Sequence, residues 1–325
     1  MEIWKRLQKN LQKYQHKNGL FPASIDSKNN IMYNLFWLRD NYYMYLAVDK
    51  DSKQKINTAF KKIFDNIKEK GKFNFDNFDI NQEWAHIHPL YTETLEEKQG
   101  DWGNVQNDAV GNMLEIFSKN KDEKRARTLV NYLETIKYYN YPDYGFWEES
   151  PRELRSSSLA SCIRGLESFS ENISDEPKIR TLTGEGYLAL YNQLPNETSN
   201  REFDLSLLSL IYPKQIIDPQ TKEKIIKNIE NNLLGNYGVK RYLKDGWNGL
   251  ERNLLPGNEM QWTMGLPWLY LATKKKQFIN KIRKIKKDYE ILPEGFVEGI
   301  SNGTSLLWSE AMYVLAEKQA NVLGH

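Results

Sequence analysis

The stretch YPDYGFWEESPRELRSSSLASCIRGLESF, residues 141–169, reads as a loop followed by a helix, and this alternation organises the chain. Pro142 and Gly145 mark the loop, which carries Trp147 and the adjacent acids Glu148 and Glu149. Beyond it, Leu159, Ile163 and Leu166 recur at the spacing that puts apolar side chains on one helical face. The same period runs outward in both directions: Trp4, Leu7, Leu11 and Tyr14; Ile56, Phe60, Ile63 and Ile67; Leu129, Leu133 and Ile136.

About twelve helical segments are expected, near 2–16, 34–48, 52–69, 105–118, 122–138, 155–169, 179–192, 203–211, 219–233, 260–273, 277–289 and 304–319. Gly184 and Gly186 interrupt the 179–192 segment, which weakens it. The loops between the segments hold much of the Gly, Pro, Trp and unpaired acid content, as in GLFPAS (19–24), EWAHIHPLY (83–91), GDWGNVQND (100–108) and ILPEGF (291–296). Helical hairpins that each present one loop to a common face explain this pattern. No short repeat or composition break divides the chain, so one all-α domain over residues 1–325 is expected.

Composition excludes several function classes. The 45 basic and 43 acidic residues leave a formal charge of +2, which argues against a global nucleic-acid or membrane field. Cys162 is the single cysteine, so an intramolecular disulfide and a thiolate zinc cluster are both ruled out. The N-terminal stretch lacks a signal-peptide core and no run reaches membrane-spanning length, so a cytoplasmic protein is expected. Asn172, Asn196 and Asn302 stand in N-x-S/T triplets, read here as chance. His86 and His88 could share one face of an extended segment, but with no third ligand they read as satisfied or stacking residues rather than a metal site. The basic run KKKQFINKIRKIKK (274–287) carries an apolar stripe, so it reads as an outer helix with a solvated charged face. No metal and no cofactor are called for, and the oligomeric state is left open.

The chemistry concentrates in acids. The adjacent acids Glu148 and Glu149 and the isolated acid Glu294 lie in separate loops among aromatic residues, the arrangement that glycosidic hydrolysis requires. One carboxyl group must hold a proton for the leaving oxygen while the other stays ionised. Desolvation against an indole raises a carboxyl pKa, which suits an acid beside Trp147 to proton donation.

Taken in order, the loops resemble glycoside hydrolase family 15, the glucoamylase family, and look most like the glucoamylase-like module of phosphorylase kinase regulatory subunits. The resemblance runs from GLFPAS to TSLLWSEAMYVLA. It implies an (α/α)6 barrel with its active site in the loops at one mouth. FWLRD resembles the family's W-x-R-D element and implies that Arg39 and Asp40 bind hydroxyls of the terminal sugar; ion pairing is the other use of an Arg-Asp dipeptide. DWGNVQNDAVGN is similar to W-G-x-x-Q-x-D, which implies Trp102 covering the cleft and Gln106 and Asp108 fixing that loop; Asp108 equally suits a helix N-cap, the structural role favoured for it. DYGFWEES matches the general-acid segment: Glu148 is the implied acid, Trp147 a pocket wall and Glu149 a sugar ligand. In QLPNETSNREFDLSLLSLIYP, Asp204 opens a helix and caps or orients it. YGVKRYLKDGW implies Arg241 and Asp245 as further sugar ligands, with Leu243 where secreted relatives have Pro. ILPEGF supplies the implied general base, Glu294, followed by Gly295 where the family often has Gln.

The expected function is therefore an inverting, exo-acting α-glucosidase of glucoamylase type, with its two carboxyls about 6.5–9.5 Å apart. An oligosaccharide or glucan is its implied substrate; trehalose is a further one. The rival reading is a glucan-binding regulatory module without turnover, and a structural scaffold is a third.

Overall fold

The computed structural model describes residues 2–26, 31–98, 103–247 and 258–325. Among these, eleven α-helices form: α1 (Ile3–Gln12), α2 (Leu38–Ala47), α3 (Lys50–Glu69), α4 (Asn107–Lys119), α5 (Glu123–Thr135), α6 (Ser156–Asn172), α7 (Pro177–Gln193), α8 (Pro219–Asn232), α9 (Gly265–Thr273), α10 (Lys276–Lys286) and α11 (Leu307–Leu323). The expected twelfth, near 203–211, is instead a 3-10 segment over Leu205–Leu210. Asp204 caps its start through the Ser206 amide, and Pro213 prevents the chain from continuing as a helix.

Contacts between elements close a ring. α2 packs on α4, α4 on α6, α6 on the 3-10 segment, that segment on α9, α9 on α11, and α11 back on α2. The remaining helices cover this ring from outside: α1 on α11, α3 on α2, α5 on α4, α7 on α6, α8 on α9 and α10 on both α9 and α11. This is the (α/α)6 barrel. The division follows from side-chain character. The outer helix α3 buries Ile56, Phe60, Ile63 and Ile67 on one stripe, whereas α4 and α9 are buried almost all round. Local stop and start signals agree: Asp49 accepts from the Ser52 amide to cap α3, and Asp218 with Pro219 opens α8.

α7 runs unbroken through Gly184 and Gly186. Gly186 sits where a Cβ would lie 2.0 Å from the Tyr138 hydroxyl, so its small size lets α7 approach the chain at Tyr138. Gly111 does the same between inner helices: a Cβ there would lie 2.3 Å from the Ser161 carbonyl carbon of α6. Helix propensity alone favours alanine over glycine by about 1 kcal/mol. The backbone clash outweighs it, so Gly111→Ala is expected to lower unfolding free energy by about 1–3 kcal/mol, read from the denaturant midpoint.

Two small antiparallel sheets interrupt the helical pattern, and both lie in loops that carry site residues. β1 (Phe36–Trp37) pairs with β2 (Leu90–Tyr91) immediately before Arg39. β3 (Val239–Lys240), β4 (Gln261–Trp262), β5 (Gly295–Val297) and β6 (Ile300–Ser301) form a second sheet, bounded by Arg241 and Glu294. Such two- and three-residue strands are too short for a period-2 pattern to mark them in the sequence. No described helix is long and apolar enough to cross a membrane.

Candidate active site

In the ring each inner helix is reached through an outer one, so the inner helices enter from the same end. The residues singled out for chemistry sit at those entries. Arg39 and Asp40 lie in the first turn of α2 and Asp108 in that of α4; Glu148 and Glu149 precede α6, Arg241 and Asp245 precede α9, and Glu294 precedes α11.

Arg39 is buried, and its five N–H groups are all directed at protein acceptors. Nε donates to Asp108 Oδ2 (2.7 Å), Nη1 to the Phe146 carbonyl and to Glu148 Oε1 (both 2.6 Å), and Nη2 to Gln106 Oε1 (2.5 Å) and the Gly145 carbonyl (3.0 Å). The expected free sugar ligand is thus a clamp on the Glu148 loop. That loop needs one: Glu148 has φ 54° and Gly145 φ 65°, and a non-glycine residue in the left-handed region is strained unless its surroundings hold it. Asp108, read as a helix cap, is fully buried as the partner of Arg39. The α4 N-terminus is capped from the acid loop instead, by Asp143 Oδ2 on the Asn107 amide (2.8 Å).

Asp40 differs from its neighbour. It is buried, yet no hydrogen-bond donor meets its carboxylate among the described residues, and it remains available to a ligand hydroxyl. Burial pushes its pKa up to about 7, opposed by Arg39 and aided by the charges of Glu148 and Glu294.

Glu148 keeps 20% of its side chain exposed, and its pKa is raised because burial outweighs the lowering by Arg39. Glu294 is buried; its pKa is also raised by burial, against hydrogen bonds from Tyr33 Oη to Oε1 (2.6 Å) and Asn302 Nδ2 to Oε2 (2.7 Å). The charge of Glu148 acts on Glu294, and both act on Asp40 and Tyr33, so these groups surround one site.

Glu149 accepts from Arg201 Nη1 (2.5 Å) and from the Tyr242 hydroxyl. Arg241 is held by Asp245 in a two-pronged pair, both distances 2.7 Å, and lies over the Trp147 and Trp262 rings. Asp245 is buried behind it, so Asp245 orients Arg241. Trp147 directs its Nε1–H to Asp204 Oδ1 (2.9 Å), which fixes the indole through the same acid that caps the 3-10 segment. Trp308 and Trp262 flank it. Trp102 lies outside the described residues.

His86 uses both ring nitrogens internally, toward Tyr132 and Ile80, and stacks on Tyr141 at 5.2 Å. Among the described residues, no group of three His, Cys, Asp or Glu could hold a metal ion.

Tyr33, Asn302, Arg201 and Tyr242 escaped the sequence reading. Asn302 stood in a triplet dismissed as chance, and the Gly299–Gly303 spacing after Glu294 was the one local hint of a hairpin returning to it. Tyr33 gives a test. Its hydrogen bond favours the ionised form of Glu294, so Tyr33→Phe raises the Glu294 pKa. The Glu294 carboxyl, followed by 13C NMR titration, is therefore expected to titrate at higher pH in the variant than in the parent.

Residues 5–274 match the family model of glycosyl hydrolases family 15. The chain is 27% identical over 292 residues to a probable phosphorylase b kinase regulatory subunit alpha of Drosophila melanogaster, covering 70% of this chain and 22% of that protein. It is 28% identical over 284 residues to the liver isoform of that subunit in Takifugu rubripes, with 70% and 22% covered. The chain thus spans about a fifth of the length of these curated relatives. Among solved structures, a wild-type glycosidase superposes with a TM-score of 0.77 at 17% identity over 99% of this chain and 98% of that one. A bacterial glucoamylase complexed with acarbose gives 0.72 at 14% identity, over 98% and 55%. The glucoamylase of Saccharomycopsis fibuligera gives 0.68 at 13%, over 99% and 95%. At these identities the structures establish the shared fold.

Proposed function

The chain belongs to glycosyl hydrolases family 15, and from that premise we propose that residues 1–325 form an inverting, exo-acting α-glucosidase of glucoamylase type. The observation that carries this reading is the pair Glu148 and Glu294. They come from separate loops, both have raised proton affinity, and the charges of both act on Asp40.

In this reading Glu148 gives its proton to the departing glycosidic oxygen. Glu294 takes a proton from a water that attacks the anomeric carbon from the opposite face, so that one C–O bond breaks as another forms. Asp40, and the N–H groups of Arg241 that Asp245 leaves free, hold hydroxyls of the terminal glucose. Trp147 walls the pocket. Glu149, ionically paired to Arg201, accepts from sugar hydroxyls near the scissile bond. Arg39 acts through Glu148: it holds the acid in place and moderates its proton affinity. Short maltooligosaccharides or glycogen-derived dextrins in the cytoplasm are the proposed substrates, with trehalose as the alternative.

A second reading, a glucan-binding regulatory module, draws on the likeness to chains named as regulatory subunits. One experiment separates the two: glucose release from maltose, maltotetraose, isomaltose and trehalose, with the anomer followed by NMR. The hydrolase reading expects β-glucose as the first product from an α-linked substrate. Calorimetric binding of maltotetraose without any glucose release supports the module and overturns the hydrolase.

A further inference from the structure

We infer that the groove between the 234–237 turn and α10, on the outer wall of the barrel, is a second binding site for a run of α-linked glucose residues. The groove offers about 660 Å³, and its lining includes no residue proposed above for chemistry. That volume falls in the ordinary range for small-ligand sites.

Its platform is Tyr237. One face of this ring stacks on Phe296 at 4.9 Å and 25°, and Tyr289 meets Phe296 edge-on behind it. Tyr237 nevertheless stays 38% exposed as a residue. The turn beneath is rigid: the Tyr237 amide donates to Gln261 Oε1 (2.8 Å), the Gly235 amide to the Gly238 carbonyl (2.9 Å), and Lys281 Nζ to the Gly235 carbonyl (2.7 Å). A ring held in place loses little conformational freedom when a flat ligand settles on it.

The rim decides the ligand class. Asn236, Gln277 and Asn280 present exposed amides, which offer both donors and acceptors, and among the described residues no carboxylate lines the groove. An aromatic platform ringed by amides suits a pyranose, with its C–H faces and hydroxyl edges. A polyanion finds a single lysine to hold, the exposed Lys284. Lys281 is committed to Gly235, and elsewhere on this basic segment Lys275 pairs with Glu230, Arg283 with Glu317 and Lys286 with Glu310. The choice of α-linked glucose rests on the glucan reading of the central pocket.

The test is retardation of the intact protein in glycogen-containing native gels, with maltoheptaose calorimetry alongside. Phe296 is two residues from Glu294, so Tyr237→Ala is paired with Asn280→Arg, which fills the groove without disturbing that strand. Both variants are expected to weaken glycogen retardation at least tenfold and to keep kcat/KM on maltose within twofold, while Tyr237→Phe behaves as the parent. Unchanged retardation in both, loss only with Asp40→Asn, or a parent that is never retarded overturns the groove. A parent that is retarded through Tyr237 but releases no glucose retains the groove and removes the hydrolase reading, so the two failures are distinguishable.

Discussion

Glu148→Gln is expected to reduce glucose release from maltooligosaccharides by about 10³-fold, within the range that a positioned general acid contributes. The amide keeps an oxygen that can accept from Arg39 Nη1, so the loop geometry survives and the loss is chemical. Glu294→Gln is expected to lose a similar factor, because an amide cannot take the proton of water. The two losses separate with a leaving group that needs no proton. On α-glucosyl fluoride, Glu148→Gln should recover to within about tenfold of the parent, while Glu294→Gln stays blocked. Parent-like rates on maltooligosaccharides in both variants would overturn the assignment. The pH profile of the parent carries a related signature. Both carboxyls have raised proton affinity, so both limbs lie above the ordinary carboxylate range: activity rises as Glu294 ionises and falls as Glu148 loses its proton. The two groups interact, so each limb reports the pair.

Arg39→Met is expected to cost about 3–5 kcal/mol of stability, the usual range for removing one partner of a buried ion pair. Asp108 is then left charged, fully buried and without its guanidinium, and the carbonyls of Gly145 and Phe146 lose their donor. Arg39→Lys recovers only part, since one ammonium cannot reproduce five N–H groups in a planar fork. Adding Asp108→Asn to Arg39→Met is expected to restore some stability by removing the stranded charge. The midpoint of urea unfolding measures all three. A residue that only held sugar would change KM and leave that midpoint alone, so the experiment distinguishes the clamp from a simple ligand. Where the Arg39 variants retain turnover, the alkaline limb should move to higher pH, because Arg39 lowers the Glu148 pKa.

How far the chain alone reached can be judged residue by residue. The apolar stripes at Ile56–Ile67 and Leu159–Leu166 identified helices because a 3.6-residue period is a local property of the chain. The motifs around Glu148, Glu294 and Asp40 were legible for a similar reason: each is a short run in which residue type and spacing stand side by side. The same locality explains the errors. Nothing near Leu205 distinguished a 3-10 segment from a short α-helix, and Asp108 carried the signature of a cap although its carboxylate serves Arg39.

The partners were out of reach. Tyr33 meets Glu294 across 261 positions, Arg39 meets Glu148 across 109, and Tyr242 meets Glu149 across 93. Such pairs exist only because a closed ring brings the entries of its inner helices to one place. Which acids are present is written in the chain. Which of them is clamped, which is supported by neutral donors and which stays open to a ligand depends on closure, since burial and long-range hydrogen bonds have no local sequence counterpart.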